Sequence, residues 1–580
     1  MEKHYTSERH IQILIQLLKE HNIRKIVASP GTTNLTFVGS VQSDPYFQVY
    51  SSVDERSAAY LACGMAEESG EPVVLSCTGA TASRNYPSGL TEAYYSKLPI
   101  LAVTSTQHPG KIGHNMPQVI DRSVQFNDIV KMSKQIPLIY TEEDAWNVVT
   151  SINEALLELR HNGGGPVHLN VQTSYSRDYS VKELQQIRVI HRVNAGGDFP
   201  ELPKGKIAIF VGRHAKWSQT LTNSVDMFCE HNNAVVLCDQ TSNYKGKYAV
   251  YASLVCSQSQ YEAVCKKADL VIHIGNISGS DISVKSENVW RVNPDGKVRD
   301  TFKKLKYVFE MEEEYFFDYY CKKNGDKRKN ISYYEEWKME CKKVASKIPE
   351  LPFSNAWIAQ NTIKSIPENS TVYFAILNTL RCWNYFETPL NITGFSNTGG
   401  FGIDGGLSSL IGASLVNKDK LFFCITGDLG FFYDMNVLGN RHVGKNVRIL
   451  LVNNGRGTEF TNYNHPGAQF GEDAKPFIAA DGHFGRKSKT LVKHFAEDLG
   501  FEYISASSKD EYVKNKNKFL NTKGFDKPII FEVFTNGDDE SNAIKAMRSL
   551  EVTSAAAAKQ VVKNLLGEKG VSTLKGLLGK

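Results

Sequence analysis

The 580-residue chain is 41% hydrophobic and 22% charged, ordinary globular proportions with length for several buried cores, which excludes a disordered or collagen-like protein. Its 67 basic and 62 acidic residues leave a net charge of +5 with no long basic run, which argues against a nucleic-acid partner. Ten cysteines without a CxxC pair, in a chain too large to need disulfides for its core, predict reduced thiols and a cytoplasmic protein.

The opening MEKHYTSERHIQILIQLLKEHNIRK has charges every few residues and apolar positions at helical spacing, so an amphipathic helix is predicted there and not a signal peptide. No run approaches the ~18 consecutive apolar residues of a membrane span, and no transmembrane segment is predicted. From Ile11, helical patterns alternate with continuous apolar runs such as IRKIVASPG, EPVVLSCTGA and LPILAVTST, the pattern of a parallel sheet covered on both faces. This unit closes near GGGPVHLNVQ. Residues 179–204 lose periodicity and read as a linker. A second α/β unit contains KIAIFVGRH, NAVVLCD, DLVIHIGNISG and NVWRVNP. After a charged helix, a third contains TVYFAIL, LFFCITGD, VRILLVNN and PIIFEVFT. The predicted fold class is therefore α/β, three doubly wound parallel-sheet domains over 1–178, 200–325 and 345–540. A helical tail is predicted over 541–580, its apolar spacing carried by Val561, Val562, Leu565 and Leu566; a surface helix is the plainest reading, a lid or a partner-docking helix the others.

The segment richest in chemistry is LFFCITGDLGFFYDMNVLGNRHVGKNVRILLVNN, residues 421–454. An apolar strand delivers Gly427 and Asp428 at its carboxyl end, and the next strand ends at Asn453 and Asn454. Ligands of doubly wound sheets sit beyond the carboxyl ends of strands, so Asp428 and Asn454 can converge on one point. Two hard oxygen ligands there suit Mg2+, while Gly427 and Gly430 let backbone N–H groups approach a diphosphate. A plain strand-to-helix turn with Asp428 as N-cap is the alternative.

GDLGFFYDMN followed by VNN resembles the diphosphate motif of thiamine-diphosphate (ThDP) enzymes. Leu429 and the YD at 433 and 434 resemble the branch typified by the menaquinone-pathway 2-succinyl-5-enolpyruvyl-6-hydroxy-3-cyclohexene-1-carboxylate synthase. SPGTTNLTF with Gly31, SVDERSAAYLACGMA, TGATASRNYPSGLTEAYYSKLPILAVTS and Gln118 are similar to the pyrimidine-binding domain of the same enzymes, and the two halves together cover essentially residues 1–540. The resemblance implies ThDP and Mg2+ as cofactors. It implies that Asp428, Asn454 and the Arg456 carbonyl are the metal ligands. Gly399, Gly402, Ile403, Leu429, Gly430 and Asn378 would line the coenzyme, with Phe401 or Ile403 as the apolar wedge that bends it. Glu55 matches the glutamate that hydrogen-bonds the aminopyrimidine ring and relays its proton, a role that a water-poor pocket strengthens. Glu55 and the diphosphate residues of one coenzyme would come from different subunits, so a homodimer or homotetramer is implied. A literal GxGxxG at Gly400, Gly402 and Gly405 lacks the preceding apolar strand of a dinucleotide fingerprint.

The menaquinone branch carries arginines after the SPG turn, at the next strand end and before the GxxGIDG stretch, and they grip substrate carboxylates. Here those positions are Thr33, Gln107 and Thr398, and no neutral side chain supplies a bidentate charge-assisted fork. The menaquinone reaction is therefore not expected. What remains near the inferred pocket is Gln107, His108, His114, Gln118, Asn378, Arg381, Asn397, Arg456, Glu459 and His465, a lining suited to a neutral, sugar-like acceptor. His114 and His465 are candidate proton donors. The expected activity is decarboxylation of a 2-oxo acid followed by carboligation to an aldehyde, ketone or sugar carbonyl. Simple decarboxylation to an aldehyde, a silent ThDP-binding protein and a nicotinamide or flavin oxidoreductase are the rivals.

Overall fold

A computed structural model describes residues 2–324, 329–484, 487–524 and 526–552. They form two compact units, Met1–Phe199 with Asp295–Glu310, and Pro200–Pro294 with Met311–Lys580. In the first unit β1 (Lys25–Ala28), β2 (Gln48–Ser51), β3 (Val73–Cys77), β4 (Ile100–Thr106), β5 (Met132–Ile136) and β6 (Val167–Gln172) form a sheet of order β2-β1-β3-β4-β6-β5, parallel throughout. Alternate residues of each strand enter opposite cores. Ile26, Val74, Leu101 and Val103 join the apolar face of the helix Arg9–Glu20, while Val27, Val73, Leu75, Ile100 and Ala102 pack beneath the helix Glu55–Ser69. Burial on both faces is why these strands read as continuous apolar runs.

The stretch read as a linker contains a strand, β7 (His191–Asn194). Ile190 and Val193 are buried, and the Asn153 amide takes the Ile190 N–H and donates to the Arg188 carbonyl. Those few apolar positions are too short a run to show a period.

In the second unit β8 (Ile207–Val211), β9 (Ala234–Cys238), β10 (Ala249–Tyr251), β11 (Leu270–Ile274) and β12 (Val289–Val292) run parallel in the order β10-β9-β8-β11-β12. β13 (Leu305–Glu310) belongs to the first unit, where it pairs parallel with β7. The third sheet comprises β14 (Thr371–Phe374), β15 (Thr393–Phe395), β16 (Phe422–Gly427), β17 (Val447–Asn453), β18 (Glu502–Ala506) and β19 (Ile529–Phe534). Its order, β15-β14-β16-β17-β19-β18, is that of the first sheet, and it too is parallel. The three doubly wound parallel sheets expected from the alternation are present.

A helix spans Gly537–Met547, and beyond it Leu550 and Glu551 donate backbone N–H groups to the Gln258 amide oxygen. The expected apolar spacing at Val561, Val562, Leu565 and Leu566 lies outside the described residues. Among the described residues no helix is long and apolar enough to cross a membrane.

One glycine ties the middle sheet to the third. A Cβ on Gly394 in β15 would lie 1.9 Å from the Gln240 carbonyl oxygen, and the Asn243 amide exchanges two hydrogen bonds with the Gly394 backbone, at 2.9 and 3.0 Å. Gly394→Ala must push the segment after β9 away. A loss of about 1–3 kcal/mol is expected, read as a lower urea midpoint with an unchanged slope.

Candidate active site

The strand order of the third sheet reverses between β14 and β16, and the crevice beyond their carboxyl ends is the place where such sheets bind ligands. A cavity of about 120 Å3 opens there. Asn378, Ile403, Gly427, Asp428, Leu429, Gly430, Asn454 and Arg456, all singled out by the sequence, line it together. A Cβ on Gly427 would meet no atom within 4 Å, so that glycine is not imposed by packing; it leaves the cavity floor as bare backbone.

Asp428 is 4% exposed, and among the described residues no cation offsets its charge. Its Oδ1 accepts from the Leu429 N–H at 2.9 Å and its Oδ2 from the Gly455 N–H at 2.6 Å, yet burial still pushes its pKa up to about 7. Across from it, the Oδ1 of Asn454 is buried without a hydrogen-bond partner. Leaving such an oxygen unsatisfied costs about 1–3 kcal/mol, and a bound cation would remove that penalty and the one on Asp428 together. The donor set of a carboxylate, an amide oxygen and a nearby carbonyl is that of a hard divalent ion such as Mg2+. The Arg456 carbonyl accepts from the Thr458 N–H at 2.9 Å, which leaves it a second lone pair.

The cavity also contains Glu540, for which the sequence offered no signal beyond an acidic first turn at 538–540. It is 2% exposed and accepts from the Asn355 N–H and the Thr535 hydroxyl, and burial raises its pKa to about 7, with the Asp428 charge adding to the rise. Arg381 makes two hydrogen bonds to Glu459, at 2.7 and 3.0 Å. Burial alone would lower its pKa, but the Glu459 and Asp281 carboxylates raise it, so its charge is already matched. The Asn378 amide is likewise engaged, by Arg381, Thr458 and Asn462. Arg456 extends its guanidinium over Gly537 to Asp538.

Two positions at which the menaquinone branch would carry arginine are filled and buried. Thr398 is fully buried, with its methyl against Gly279. Thr33 is buried in the first unit, where its hydroxyl meets that of Thr78 at 2.7 Å and accepts from the Gly79 N–H at 2.9 Å. Gln107, at the third position, takes a hydrogen bond from Lys111.

Gly399 and Gly402, of the same unit, are not among the residues that line the cavity. Gly399 is exposed, a Cβ on Gly402 would strike the Asp404 carboxylate, and Phe401 is 44% exposed with φ 55°, so of the two candidate wedges Ile403 is the one against the cavity. His465 flanks it through Phe460, a lining residue whose ring meets the imidazole edge-on, and its Nδ1 accepts from the Gly467 N–H at 3.0 Å. In the neutral ring that leaves the proton on Nε2. In the first unit Gly31 abuts Thr78, and Gly79 lies against the Gln118 carbonyl, all near the reversal between β1 and β3. Glu55 opens its helix half-buried and accepts from the Asn85 amide at 3.2 Å, while His114 is exposed.

Residues 9–125 match the family model described as thiamine pyrophosphate enzyme, N-terminal TPP binding domain. Over 569 residues the chain is 31% identical to a 2-succinyl-5-enolpyruvyl-6-hydroxy-3-cyclohexene-1-carboxylate synthase of Bacteroides fragilis, covering 93% of this chain and 98% of the relative. A synthase of the same name from Bacteroides thetaiotaomicron is 30% identical with the same coverage, and one from Flavobacterium psychrophilum is 26% identical over 90% of this chain and 95% of its own. Among solved structures, the thiamine diphosphate-dependent 4-hydroxybenzoylformate decarboxylase of Rhodococcus jostii RHA1 is similar at 15% identity and a TM-score of 0.38, over 91% of this chain and 99% of that one. The N-terminal match and the full-length relatives define a thiamine-diphosphate-dependent enzyme, and within that class the chain belongs to the 2-succinyl-5-enolpyruvyl-6-hydroxy-3-cyclohexene-1-carboxylate synthase family.

The two buried carboxyls set a pH dependence. With both native pKa values raised, the folded protein holds protons that the unfolded chain releases above about pH 4, so their contribution is present at low pH and is lost as pH rises through about 7. The metal-free protein should therefore lose thermal stability over that interval. Added Mg2+ should raise Tm more at about pH 8 than at about pH 6, and Asp428→Asn should both flatten the pH slope and abolish the Mg2+ effect in scanning fluorimetry.

Proposed function

We propose that the protein is a ThDP- and Mg2+-dependent lyase and carboligase that releases CO2 from a 2-oxo acid and joins the remaining acyl unit to an acceptor carbonyl. The observation that carries this reading is the buried Asp428 facing the unpartnered Asn454 oxygen over a floor of bare glycine backbone. Asp428, Asn454 and the Arg456 carbonyl hold the metal, and Gly427 and Gly430 open the floor to the diphosphate. Ile403 would support the coenzyme as the apolar side chain against the cavity, and Gly31, Leu429 and Asn378 would shape its surroundings. The bound coenzyme supplies an electron sink for the pair released with CO2. Glu55 holds the proton at the aminopyrimidine ring, Gln118 positions the substrate, and His465, with its proton on Nε2, donates to the product oxygen, with His114 as the second candidate.

The relatives are named for a carboxylate-bearing product, but the acceptor proposed here is a neutral aldehyde, ketone or sugar. Thr33 and Thr398 occupy two clamp positions in buried form, and the Arg381 charge is spent on Glu459. Simple protonation to an aldehyde is the second outcome of the same chemistry.

CO2 release from a panel of 2-oxo acids with ThDP and Mg2+, with products identified by mass spectrometry, tests the reading. Wild type should release CO2 and, with a neutral acceptor present, form a product with a new C–C bond. Glu55→Gln should lose roughly 10²–10⁴-fold in turnover. A dicarboxylic 2-oxo acid and a carboxylate acceptor outcompeting every neutral acceptor would overturn the acceptor assignment.

The oligomer proposed is a homodimer or homotetramer whose sites are shared between copies. It is supported by the helix Glu55–Ser69, which leaves Tyr60 and Leu61, one to two turns beyond Glu55, about half exposed at 47% and 51%. Light scattering should give a dimer or larger, and Leu61→Asp should shift it toward monomer with a parallel loss of turnover.

A further inference from the structure

The first unit encloses a small cavity beside the long connection from β4 to β5. It measures about 10 Å3, room for one occupant of about the size of a water molecule. Leu90, Ile129 and Val130 form its apolar side, and Arg122, Gln125 and His168 bring polar groups to it. Among the described residues that line it, none is acidic.

Arg122 is 3% exposed. Its Nη1 donates to the Ser83 hydroxyl at 3.0 Å and its Nη2 to the Ser105 carbonyl at 2.8 Å, both neutral acceptors, while its Nε–H is buried with no acceptor. Among the described residues no carboxylate lies within ion-pair distance of it. The adjacent acid, Asp121, is turned to the Ser123 N–H and hydroxyl, at 2.9 and 2.7 Å. Burial lowers the pKa of the Arg122 guanidinium to about 10, with the Arg84 charge adding to the fall, so the group is still a cation near neutral pH. A buried cation without a counter-ion is among the costliest arrangements in a protein interior.

The other polar groups at the cavity offer no negative charge. The Thr104 hydroxyl donates to the Asn170 amide oxygen at 3.0 Å and accepts from His168 Nε2 at 2.7 Å, and His168 Nδ1 meets the Ser133 hydroxyl at 2.8 Å. That ring is neutral, since burial drives its pKa down to about 3 and the Arg122 and Arg84 charges push the same way. The Ser83 hydroxyl spends its proton on the Ala80 carbonyl at 2.7 Å. Gln125 donates one amide N–H to the Arg122 carbonyl at 3.0 Å and keeps the second.

We propose that this cavity is a binding site for a small monovalent anion, a halide such as chloride. The anion accepts from the Arg122 Nε–H and from the second amide proton of Gln125, and the rest of its surface lies on Leu90, Ile129 and Val130. A spherical, weakly hydrated ion tolerates such an apolar wall, and a carboxylate or phosphate is too large for the space. The ion supplies the charge that Arg122 lacks, and it steadies the segment between 118 and 125. A Cβ on Gly79 would lie 3.7 Å from Arg122 Nη1 and 3.2 Å from the Gln118 carbonyl oxygen, so the guanidinium and that segment meet at one place.

Scanning fluorimetry of the full chain in sodium gluconate, sodium chloride and sodium bromide, at one ionic strength, tests the site, because gluconate does not fit the cavity. Chloride and bromide should each raise Tm over gluconate by at least about 2 °C along a saturating curve, as a ligand of the folded state does. In Arg122→Met, neutral and of similar length, that difference should vanish, which separates the site from general salt effects. A crystal of the unaltered protein grown in bromide gives a reading that depends on no variant: an anomalous peak should stand in the cavity beside Arg122 Nε. Equal Tm in the three salts, a halide response retained by Arg122→Met, or a bromide crystal without that peak would overturn the site and leave the cavity to water.

Discussion

A carboxylate buried with no counter-ion among the described residues is the constraint around which the second unit is organised. Asp428 stands at the end of β16, shielded from water and met only by backbone amides, and those amides do not offset the desolvation of its charge. Its neighbours share the condition: Asn454 presents an oxygen with no donor, and Glu540 is a second buried acid. Such a cluster is costly by itself, and a divalent cation would relieve that cost. The glycines at 427 and 430 complete the logic by keeping side chains out of the space above it.

The polar groups around that cluster are mostly committed to one another. Arg381, Glu459, Asn378, Thr458 and Asn462 form a connected network, so a residue that reads as a free cation in sequence is a strut in the folded protein. The same holds for Thr33 and Thr398. Each is more than a missing arginine, since Thr33 is hydrogen-bonded and Thr398 is packed against Gly279. Membership in the synthase family and departure from its carboxylate-gripping pattern are therefore compatible. A shared fold does not by itself fix the substrate, which is chosen by the side chains at the site.

The first and third sheets have one strand order, and each places its candidate residues at its own reversal. The middle sheet has a different order, with its reversal between β8 and β11, and there the surrounding charge is positive where around Asp428 it is negative.

How much of this was legible in the sequence follows from which signals are local. Central strands buried on both faces, such as β3, β4, β16 and β17, are continuous apolar runs and were readable. The edge strands β5 and β18 are half-polar, and β7 is four residues long, so neither periodicity nor composition distinguishes them from loops. Gly427, Asp428 and Asn454 could be assigned to one point because a parallel sheet brings successive strand ends together whatever lies between them. Glu540 could not, since its approach to Asp428 depends on how the helix Gly537–Met547 packs, and an acidic first turn is ordinary for any helix. Nor could the sequence show that Arg381 is neutralised, that Thr398 is sealed against Gly279, or that Arg122 lies buried beside a cavity. Strand identity and motif order are properties of neighbouring residues, which the chain determines by itself. Burial and charge pairing are properties of residues far apart in the chain, and only the tertiary structure decides them.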